Sequence, residues 1–387
     1  MPKRLGYQFE LVVSEDNCIA AVLEMLKGKK NKSIYGSLTM SKKKLKIVIE
    51  KRYKKGERSR GRVEYFRNHS AEIGKRISKE LRDGTWEPKP YKEKSVYDEL
   101  RGKWRSIRVP CLYDQAVHHA IMRVTAPELL KRAYYYSCGS VPGAGQSRAV
   151  NAVKSWLNKK KIPKYAGVYD VKKFYETCGH DVVMSKLRRL YKDKRFLSLH
   201  EQILNSMGPG IAIGFYPSPW YANLVLNDVD KTIKTVLPDC DYARYMDDMV
   251  VLHSNKRKMK KAKDAIVETL RKMGMRLKSN WQIFPTRKRG IPFLSYRFFP
   301  KYTLVRKGLM YRIARRARLA GKNLTPHAAM SMLSYMGILK QGNGRNFYLT
   351  KIKPYVSIKN CKGVVRYVSK ISRNVEYAAT VRSAKAA

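Results

Sequence analysis

Asp247 and Asp248 are adjacent carboxylates inside an apolar run that includes Met246, Met249 and Val250. Two neighbouring carboxylates repel each other and lose solvation in apolar surroundings unless a partner compensates them. One interpretation is a β-turn that exposes both acids to solvent. The other is a site for divalent cations, because Mg²⁺ binds carboxylate oxygen together with substrate phosphate. A pair of such ions can activate a hydroxyl group and stabilise a leaving pyrophosphate in an in-line displacement.

That chemistry needs another carboxylate from a neighbouring strand, and Asp170 can supply it. Asp170 lies in Val168–Val171, a short apolar run typical of a buried strand. Tyr242–His253 predicts a strand, a tight turn and a second strand, with Asp247 and Asp248 at the turn. The three acids would then meet at one end of a sheet.

Other side chains are suited to a nucleotide. Arg105 offers a planar fork for phosphate oxygens, and Lys103 adds a point charge nearby. Tyr175 follows Asp170 on the loop that leaves the strand, where an aromatic ring could close against C2′ of a sugar or simply pack in the core. Gly214 permits a close approach of the backbone to a base pair. Lys278 is either a proton donor to pyrophosphate or a phosphate contact.

The elements that would position these residues follow from apolar spacing and from Gly and Pro. Mixed helices and strands without strict alternation favour the α+β class. Residues 102–110 predict a strand that Pro110 ends, and residues 41–83 predict basic helices. Further predicted helices cover Phe9–Leu26, Asp114–Leu130, Gly145–Trp156, His180–Tyr191 and Lys256–Met273, with a hairpin over Phe293–Phe299 and a mainly helical, basic stretch from Arg306.

The chain has 387 residues and a formal net charge of +52, from 82 Lys and Arg against 30 Asp and Glu. Such self-repulsion weakens a compact state unless a polyanion neutralises it, which favours a nucleic-acid partner. The six scattered cysteines predict reduced, mostly buried thiols rather than a zinc site. No apolar run approaches a membrane span and no hydrophobic signal core is present, so we expect no membrane partner and a cytoplasmic location.

Three histidines carry no predicted chemistry. His118 and His119 are adjacent on a helix and point about 100° apart, so they do not form a two-ligand face. Packing is the favoured role for both. His180 is suited to orienting the loop that carries Phe174 and Tyr175.

Ordered motifs make the chain resemble the reverse transcriptases. Tyr245-Met246-Asp247-Asp248 matches the palm signature of that family, and Asp170–Tyr175 is similar to its first metal-binding motif. Lys103–Arg105 resembles its fingers strand. Gly214–Pro219, followed by Ala222-Asn223, resembles the motif that packs template and nucleotide, and Phe293–Tyr296 resembles the primer-grip hairpin.

The resemblance implies a right-hand fold and RNA-directed DNA synthesis with two Mg²⁺ ions, for which Mn²⁺ is a possible substitute. It implies residues 1–95 as an N-terminal helical extension and the start of the fingers, 96–165 as fingers, 166–300 as palm with a fingers segment around 180–215, and 301–387 as thumb and basic tail. The implied catalytic residues are Asp170, Asp247 and Asp248, with Val171 added to the metal set. The implied nucleotide-binding residues are Lys103, Arg105, Phe174, Tyr175, Ile213, Gly214, Ser218 and Lys278. The implied primer grip is Phe293, Leu294, Ser295 and Tyr296. The implied partners are template RNA, the RNA/cDNA hybrid and dNTPs.

Arginines recur at helical spacing in the segment implied to be the thumb, at Arg312, Arg315, Arg316 and Arg318. A basic helix face of this kind suits the backbone and minor groove of an A-form hybrid. A face exposed only to solvent is the alternative.

Ile213 stands where many reverse transcriptases have Gln, and this resembles the enzymes of diversity-generating retroelements, which are bacterial or phage-encoded and copy template adenines with errors. Asp114–His119, Tyr134–Gly145 and Asn280–Gln282 are also similar to that branch. The branch implies a small basic accessory protein that forms a ring.

Other sequence features favour alternatives to that branch. Ser218-Pro219 is more typical of intron and retron enzymes, and Ser295 replaces the usual glycine of the primer-grip hairpin. A retron-like or phage-defence reverse transcriptase is therefore a second hypothesis. A non-catalytic RNA-binding or splicing protein on the same scaffold is a third hypothesis, and the intact acids argue against it.

Overall fold

The computed structural model describes residues 4–27, 29, 57–98 and 102–384, and it confirms the predicted α+β class. The chain forms two compact units. The first comprises Met1–Met25, His69–Leu294 and Phe298–Lys301, and the second comprises Leu26–Asn68, Ser295–Arg297 and Tyr302–Ala387. The part of the predicted basic segment that precedes residue 57 lies outside the described residues.

A four-stranded antiparallel sheet forms the centre of the first unit. Its strands are β3 (Tyr165–Asp170), β4 (Asp241–Tyr245), β5 (Asp248–His253) and β6 (Gln282–Pro285), in the order β4-β5-β3-β6. Val and Tyr side chains favour the pleated conformation here, and β5 is buried along nearly its whole length. The predicted strand–turn–strand at Tyr242–His253 is confirmed.

Helices cover this sheet and extend the unit. The first unit contains α1 (Gln8–Val13), α2 (Glu15–Leu26, whose last residue belongs to the second unit), α4 (Ser70–Asp83), α5 (Leu112–Arg132), α6 (Gly145–Leu157), α7 (Phe174–Thr177), α8 (His180–Leu190), α9 (Lys194–Asn205), α10 (Ser218–Val236) and α11 (Lys256–Lys272). In α11, Met259, Ala262, Ile266 and Leu270 form the buried face, and this helix packs on α10.

The single helix predicted over Phe9–Leu26 is wrong, because the chain breaks at Ser14. Ser14 adopts an extended conformation with φ −60° and ψ 137°. Its hydroxyl accepts a hydrogen bond from the Asn17 amide at 3.4 Å, the behaviour of a residue that starts a new helix. Apolar spacing continues across the break, which is why the pattern suggested one helix.

A two-stranded hairpin precedes the sheet. β1 (Lys92–Asp98) pairs antiparallel with β2 (Lys103–Val109), which confirms the strand predicted for residues 102–110. Pro110 ends β2 because it has no amide hydrogen to continue a ladder.

The second unit is mainly helical, as predicted from Arg306 onward. It contains α3 (Glu57–Asn68), α12 (Lys307–Lys322), α13 (Pro326–Gln341), α14 (Arg345–Lys351) and α15 (Ile358–Ala384). Strands β7 (Ile291–Phe293), β8 (Tyr296–Phe299) and β9 (Tyr302–Val305) form a separate three-stranded sheet in that order. The predicted hairpin at Phe293–Phe299 is confirmed.

All six cysteines are free thiols and five are buried, as expected. Burial raises the pKa of Cys18 and of Cys178 to about 12. Among the residues that the structure describes, none of the helices has the length and apolarity needed to cross a membrane.

Candidate active site

Asp170 lies directly opposite Asp248 in the antiparallel register of β3 and β5. Directly opposed residues of an antiparallel pair project to the same face with Cβ atoms roughly 5 Å apart. Asp247 occupies the two-residue turn between β4 and β5, where Met246 has a φ of 54°. The sheet therefore brings the three predicted carboxylates to one end, as the sequence suggested.

A buried arginine that was not predicted from the sequence holds this turn. Arg244 donates to both carboxylate oxygens of Asp230, with Nε–Oδ1 at 2.7 Å and Nη2–Oδ2 at 2.6 Å, and each side chain is 1% exposed. Arg244 also donates to the Met246 carbonyl and to Asn223 Oδ1, each at 3.0 Å. Burial alone would lower the pKa of Arg244, but the charge and hydrogen bonds of Asp230 outweigh burial and raise it. The charged Arg244 guanidinium thus holds the turn that carries Asp247 through its hydrogen bond to the Met246 carbonyl.

The glycine-rich segment after α5 supports the same turn. The Cys138 amide donates to the Arg244 carbonyl at 2.8 Å, and the Arg244 amide donates to the Tyr136 carbonyl at 3.0 Å. A Cβ on Gly139 would stand 2.5 Å from the Met246 nitrogen. Only glycine lets the backbone come this close.

The two oxygens of the Asp170 carboxylate have different surroundings. Lys278 makes an ion pair with Oδ2, and the Lys278 amide donates to the Asp170 carbonyl at 2.8 Å. Oδ1 is buried and has no hydrogen-bond partner in the described part of the chain. The Leu294 amide donates to Asp248 Oδ2 at 3.3 Å, which joins the predicted primer-grip hairpin to the carboxylate end of the sheet.

These donors fit a hard cation in kind, because carboxylate oxygens are the ligands that Mg²⁺ takes. The unpaired Asp170 Oδ1 is an open acceptor for such an ion. Yet within the described ranges no three His, Cys, Asp or Glu side chains are grouped as a metal site. A cation bound at Asp170 would therefore share the carboxylate with the Lys278 ammonium or displace it.

The residues predicted to grip a triphosphate lie on the β1–β2 hairpin. Arg105 Nε donates to Asp98 Oδ2 at 2.9 Å across the two strands, so part of its fork is already engaged. Lys103 is exposed. The hairpin reaches the rest of the unit through the Arg108 amide, which donates to the Ile213 carbonyl at 2.8 Å.

Tyr175, Ile213 and Gly214 form one continuous strip with the end of β2. The Ile211 amide donates to the Tyr175 carbonyl at 2.8 Å, which ties the loop before α10 to the loop after Asp170. Gly214 has a φ of 111°, and a Cβ there would stand 2.2 Å from the Arg108 carbonyl oxygen. Gly214 thus permits close packing against β2, whereas close approach to a base pair was predicted from the sequence.

Ser218 and Phe174, which the resemblance implies as nucleotide-binding residues, are both buried. Ser218 is fully buried and its hydroxyl donates to the Ala212 carbonyl at 2.5 Å. Phe174 is 1% exposed beneath Tyr175, with the two rings 5.5 Å apart. Both side chains therefore pack beneath the strip and support it. His180 Nε2 lies 2.8 Å from the Gly210 carbonyl oxygen in the loop before α10, whereas a contact with the loop that carries Phe174 and Tyr175 was expected.

The two adjacent histidines pack on separate rings, as predicted. His118 is fully buried and stacks on Phe215 at 5.4 Å, and His119 stacks on Tyr216 at 3.7 Å. Neither ring nitrogen of His118 has a hydrogen-bond partner among the described residues. Burial, with a smaller contribution from the charge of His119, lowers the pKa of His118 to about 3.

The predicted primer-grip residues and the predicted thumb arginines follow the central sheet in the sequence. Phe293 and Tyr296 are buried, and Leu294 has a φ of 55° at the hairpin between them. Ser295 is half-buried and its carbonyl accepts from the Arg306 amide at 2.9 Å. On α12, Arg315 is exposed opposite the apolar face of the helix, and Arg312 and Arg316 are half-buried. Val171, predicted among the metal ligands, is fully buried beside Asp170.

A match to a known family covers the whole of this site. The family described as reverse transcriptase (RNA-dependent DNA polymerase) matches residues 88–298, more than half of the chain. Protein YkfC of Escherichia coli (strain K12) is 25% identical over 164 residues, which are 39% of this chain and 43% of that protein. The matched region thus spans less than half of that relative.

Two solved structures are similar at low identity. A telomerase from Candida albicans, in complex with a TWJ fragment of telomeric RNA, is 13% identical with a TM-score of 0.44, over 75% of this chain and 59% of that one. An apo telomerase from Candida tropicalis, truncated from its C-terminal domain, is 15% identical with a TM-score of 0.43, over 55% and 53%. From the family match, which takes in the β1–β2 hairpin, the central sheet and all three carboxylates, the chain belongs to the reverse transcriptase family.

Proposed function

We propose that this protein is an RNA-directed DNA polymerase in which Asp170, Asp247 and Asp248 hold two magnesium ions. The observation that carries the proposal is the in-register pairing of Asp170 with Asp248, next to the turn that presents Asp247, inside a reverse transcriptase domain. When bound, the ions supply charge that activates the primer hydroxyl and stabilises the departing pyrophosphate. Asp170 Oδ1, which has no hydrogen-bond partner among the described residues, would serve one of the ions as a ligand.

The protein's own residues orient the substrates around those carboxylates. Lys103 and the free part of the Arg105 fork would bind the triphosphate oxygens. Tyr175 and Gly214 would form the wall against the sugar and the nascent base pair. The backbone hydrogen bonds from Ile211 to Tyr175 and from Arg108 to Ile213 hold this wall in place. Lys278 would leave Asp170 to neutralise developing charge on the pyrophosphate.

Primer extension tests this assignment. With an RNA template, a DNA primer, dNTPs and Mg²⁺, we expect extension by the wild type and none by Asp248→Asn. Undiminished synthesis by Asp248→Asn would remove the metal assignment.

The template RNA would be a dedicated structured RNA, as the charge of +52 supports. The arginine face of α12 would contact the backbone of the RNA/cDNA hybrid. Among family branches, we favour the error-prone enzyme of a diversity-generating retroelement. Ile213 is half-buried beside Gly214 and has no side-chain hydrogen-bond donor, so discrimination there would rest on fewer polar contacts. In that setting a basic accessory ring would join the enzyme through shared RNA rather than by direct charge attraction.

Sequencing the cDNA separates the branches. Errors concentrated at template adenines, and reduced by Ile213→Gln, are the expected result. Uniform fidelity would instead favour the retron-like or phage-defence alternative, which Ser218-Pro219 supports. RNA binding without any extension would favour the non-catalytic alternative, in which the Lys278–Asp170 ion pair is a permanent structural contact.

A further inference from the structure

The end of the central sheet opposite the carboxylates carries a second concentration of positive charge. Tyr165, at the start of β3, pairs with His253 at the end of β5 and with Pro285 at the end of β6. Segment 158–164, which precedes β3, and segments 254–261 and 286–290, which follow β5 and β6, therefore lie at the same end of the sheet. Neighbouring strands there are about 4.8 Å apart. Asp170 stands at the other end of β3, roughly 17 Å away for five residues of extended chain.

Every charged side chain in these three segments is a lysine or an arginine. We define the distal basic surface by six exposed members: Lys160, Lys161, Lys256, Arg257, Arg287 and Lys288. None of the six makes an ion pair with another residue of the described chain. The two acids at this end are already engaged, Asp241 by Lys159 at 2.7 Å and Asp239 by His253 at 3.0 Å.

The start of α11 lies within this surface. Its first turn contains Lys256, Arg257 and Lys258 and no acid. The helix dipole favours negative charge at this end, so three cations there are unfavourable unless an anion lies against them. Asn255 Oδ1 caps the Lys258 amide at 3.1 Å, so the helix start itself is well formed.

The composition of the distal basic surface indicates the kind of polyanion. The three segments contain no aromatic residue, so stacking on unpaired bases, which single strands use, has no platform there. Of their apolar side chains, Pro163 and Met259 are buried and Ile162 is half-buried, which leaves little to insert into a lipid surface. Exposed lysines and arginines alone suit the phosphate backbone of an A-form duplex, which is read by shape.

We propose that the distal basic surface binds a double-helical element of RNA while the carboxylate end holds the template and primer. The inference goes beyond the polymerase assignment, because it needs an RNA partner but no metal and no catalytic step. The protein would thereby keep a folded part of its RNA attached while another part is copied. The anchor and the reaction site lie at opposite ends of one rigid sheet.

The test uses the full chain and two nucleic acids at once. A labelled RNA hairpin is titrated by fluorescence anisotropy, without divalent metal, in the presence of one molar equivalent of unlabelled RNA/DNA hybrid. The variant combines Lys160→Gln, Lys161→Gln, Arg287→Gln and Lys288→Gln. The matched control combines Lys75→Gln, Lys79→Gln, Arg189→Gln and Lys194→Gln, which removes four exposed cations from α4, α8 and α9.

We expect the wild type and the control to bind the hairpin while the hybrid is bound. The distal variant should bind the hairpin roughly tenfold more weakly, or less tightly still. A plot of log binding constant against log salt concentration should become less steep by about 0.9 for each phosphate that the variant no longer neutralises. Its affinity for the hybrid and its rate of primer extension should equal those of the wild type, which also shows that it is folded.

Three results would overturn the proposal: displacement of the hairpin by the hybrid, equal loss in the distal variant and the control, or no loss in either. Stronger binding of the wild type to phosphatidylserine vesicles than to the hairpin would assign the surface to lipid instead. Absence of primer extension alone would contradict the polymerase assignment and leave the hairpin result to be judged separately.

Discussion

Arg244 and Asp230 form a two-point ion pair that is 1% exposed on each side, and the same guanidinium holds the Met246 carbonyl at the turn before Asp247. Removing one partner of a buried pair leaves an uncompensated charge and costs about 3–5 kcal/mol. We expect Arg244→Met to lower the free energy of unfolding by that amount, measured by urea denaturation. Primer extension should fall as well, because the turn loses its donor.

The exposed pair between Lys159 and Asp241 is the matched control, since Asp241 lies on the same strand β4. Lys159→Met should cost less than about 1 kcal/mol. Equal losses for Lys159→Met and Arg244→Met would contradict the role given to the buried pair.

Lys278 supplies the positive charge at Asp170 in this structure, so it should compete with a divalent ion for that carboxylate. We expect Lys278→Met to bind Mn²⁺ severalfold more tightly than the wild type, measured by calorimetry or electron paramagnetic resonance without substrate. Arg276→Met removes an exposed cation two residues earlier and should leave the affinity nearly unchanged. Weaker Mn²⁺ binding by Lys278→Met would show that the lysine supports the ion rather than competing with it.

At Gly214 a single added methyl group should strongly disturb the local packing. A Cβ would meet the Arg108 carbonyl oxygen at 2.2 Å, and the φ of 111° is unfavourable for any L side chain. Gly214→Ala should cost about 1–3 kcal/mol of stability through overpacking. It should also raise the KM for dNTPs, because β2 carries Lys103 and Arg105.

Gly337 offers the contrasting substitution. It lies inside α13, and a Cβ added there would have no atom within 4 Å, so Gly337→Ala should stabilise the protein by up to about 1 kcal/mol. If Gly214→Ala were equally well tolerated, the close approach to β2 would not constrain the site.

His118 makes stability depend on pH below neutrality. Burial lowers its pKa to about 3, whereas the unfolded chain titrates near 6.5, so between these values only the unfolded state binds the proton. The free energy of unfolding is therefore at its full value above pH 6.5. Between pH 6.5 and about 3 it falls by about 1.4 kcal/mol for each pH unit that the pH is lowered. Burial lowers the pKa of His200 to about 3 as well, and His200 should add a similar slope.

Urea denaturation at neutral and acidic pH checks the slope. His118→Leu should reduce it by about 1.4 kcal/mol per unit and should not destabilise the protein at neutral pH, because it removes two unpaired buried nitrogens. An unchanged slope would mean that His118 is not the titrating group.

The sequence predicted the carboxylates well because their signal is local. Asp247 and Asp248 interrupt an apolar hairpin and Asp170 ends an apolar strand, and the order of the motifs that resemble reverse transcriptases indicated that the two elements meet. The hairpin at Phe293–Phe299 and the strand at residues 102–110 were recognisable for the same reason. These are contacts between near neighbours in sequence or in the strand ladder.

What the sequence did not reveal depends on contacts between distant segments. Arg244 and Asp230 look like ordinary surface charges until the fold buries both, although a charge between Ala243 and Tyr245 in an apolar strand was a signal that a partner was needed. The Ser218 hydroxyl donates to the Ala212 carbonyl, and nothing in the local sequence indicates that contact. The break at Ser14 was hidden because apolar spacing continued through it.

The central claim is that Asp170, Asp247 and Asp248 hold the metal ions of a polymerase, and single-turnover primer extension over a range of Mg²⁺ concentrations tests it most directly. The comparison includes the wild type, Asp170→Asn, Asp247→Asn, Asp248→Asn and the control Asp241→Asn, which changes an acid at the opposite end of the same hairpin. We expect extension by the wild type and Asp241→Asn, and losses of several orders of magnitude for the three other variants. Extension at the wild-type rate by Asp170→Asn or Asp248→Asn would contradict the account.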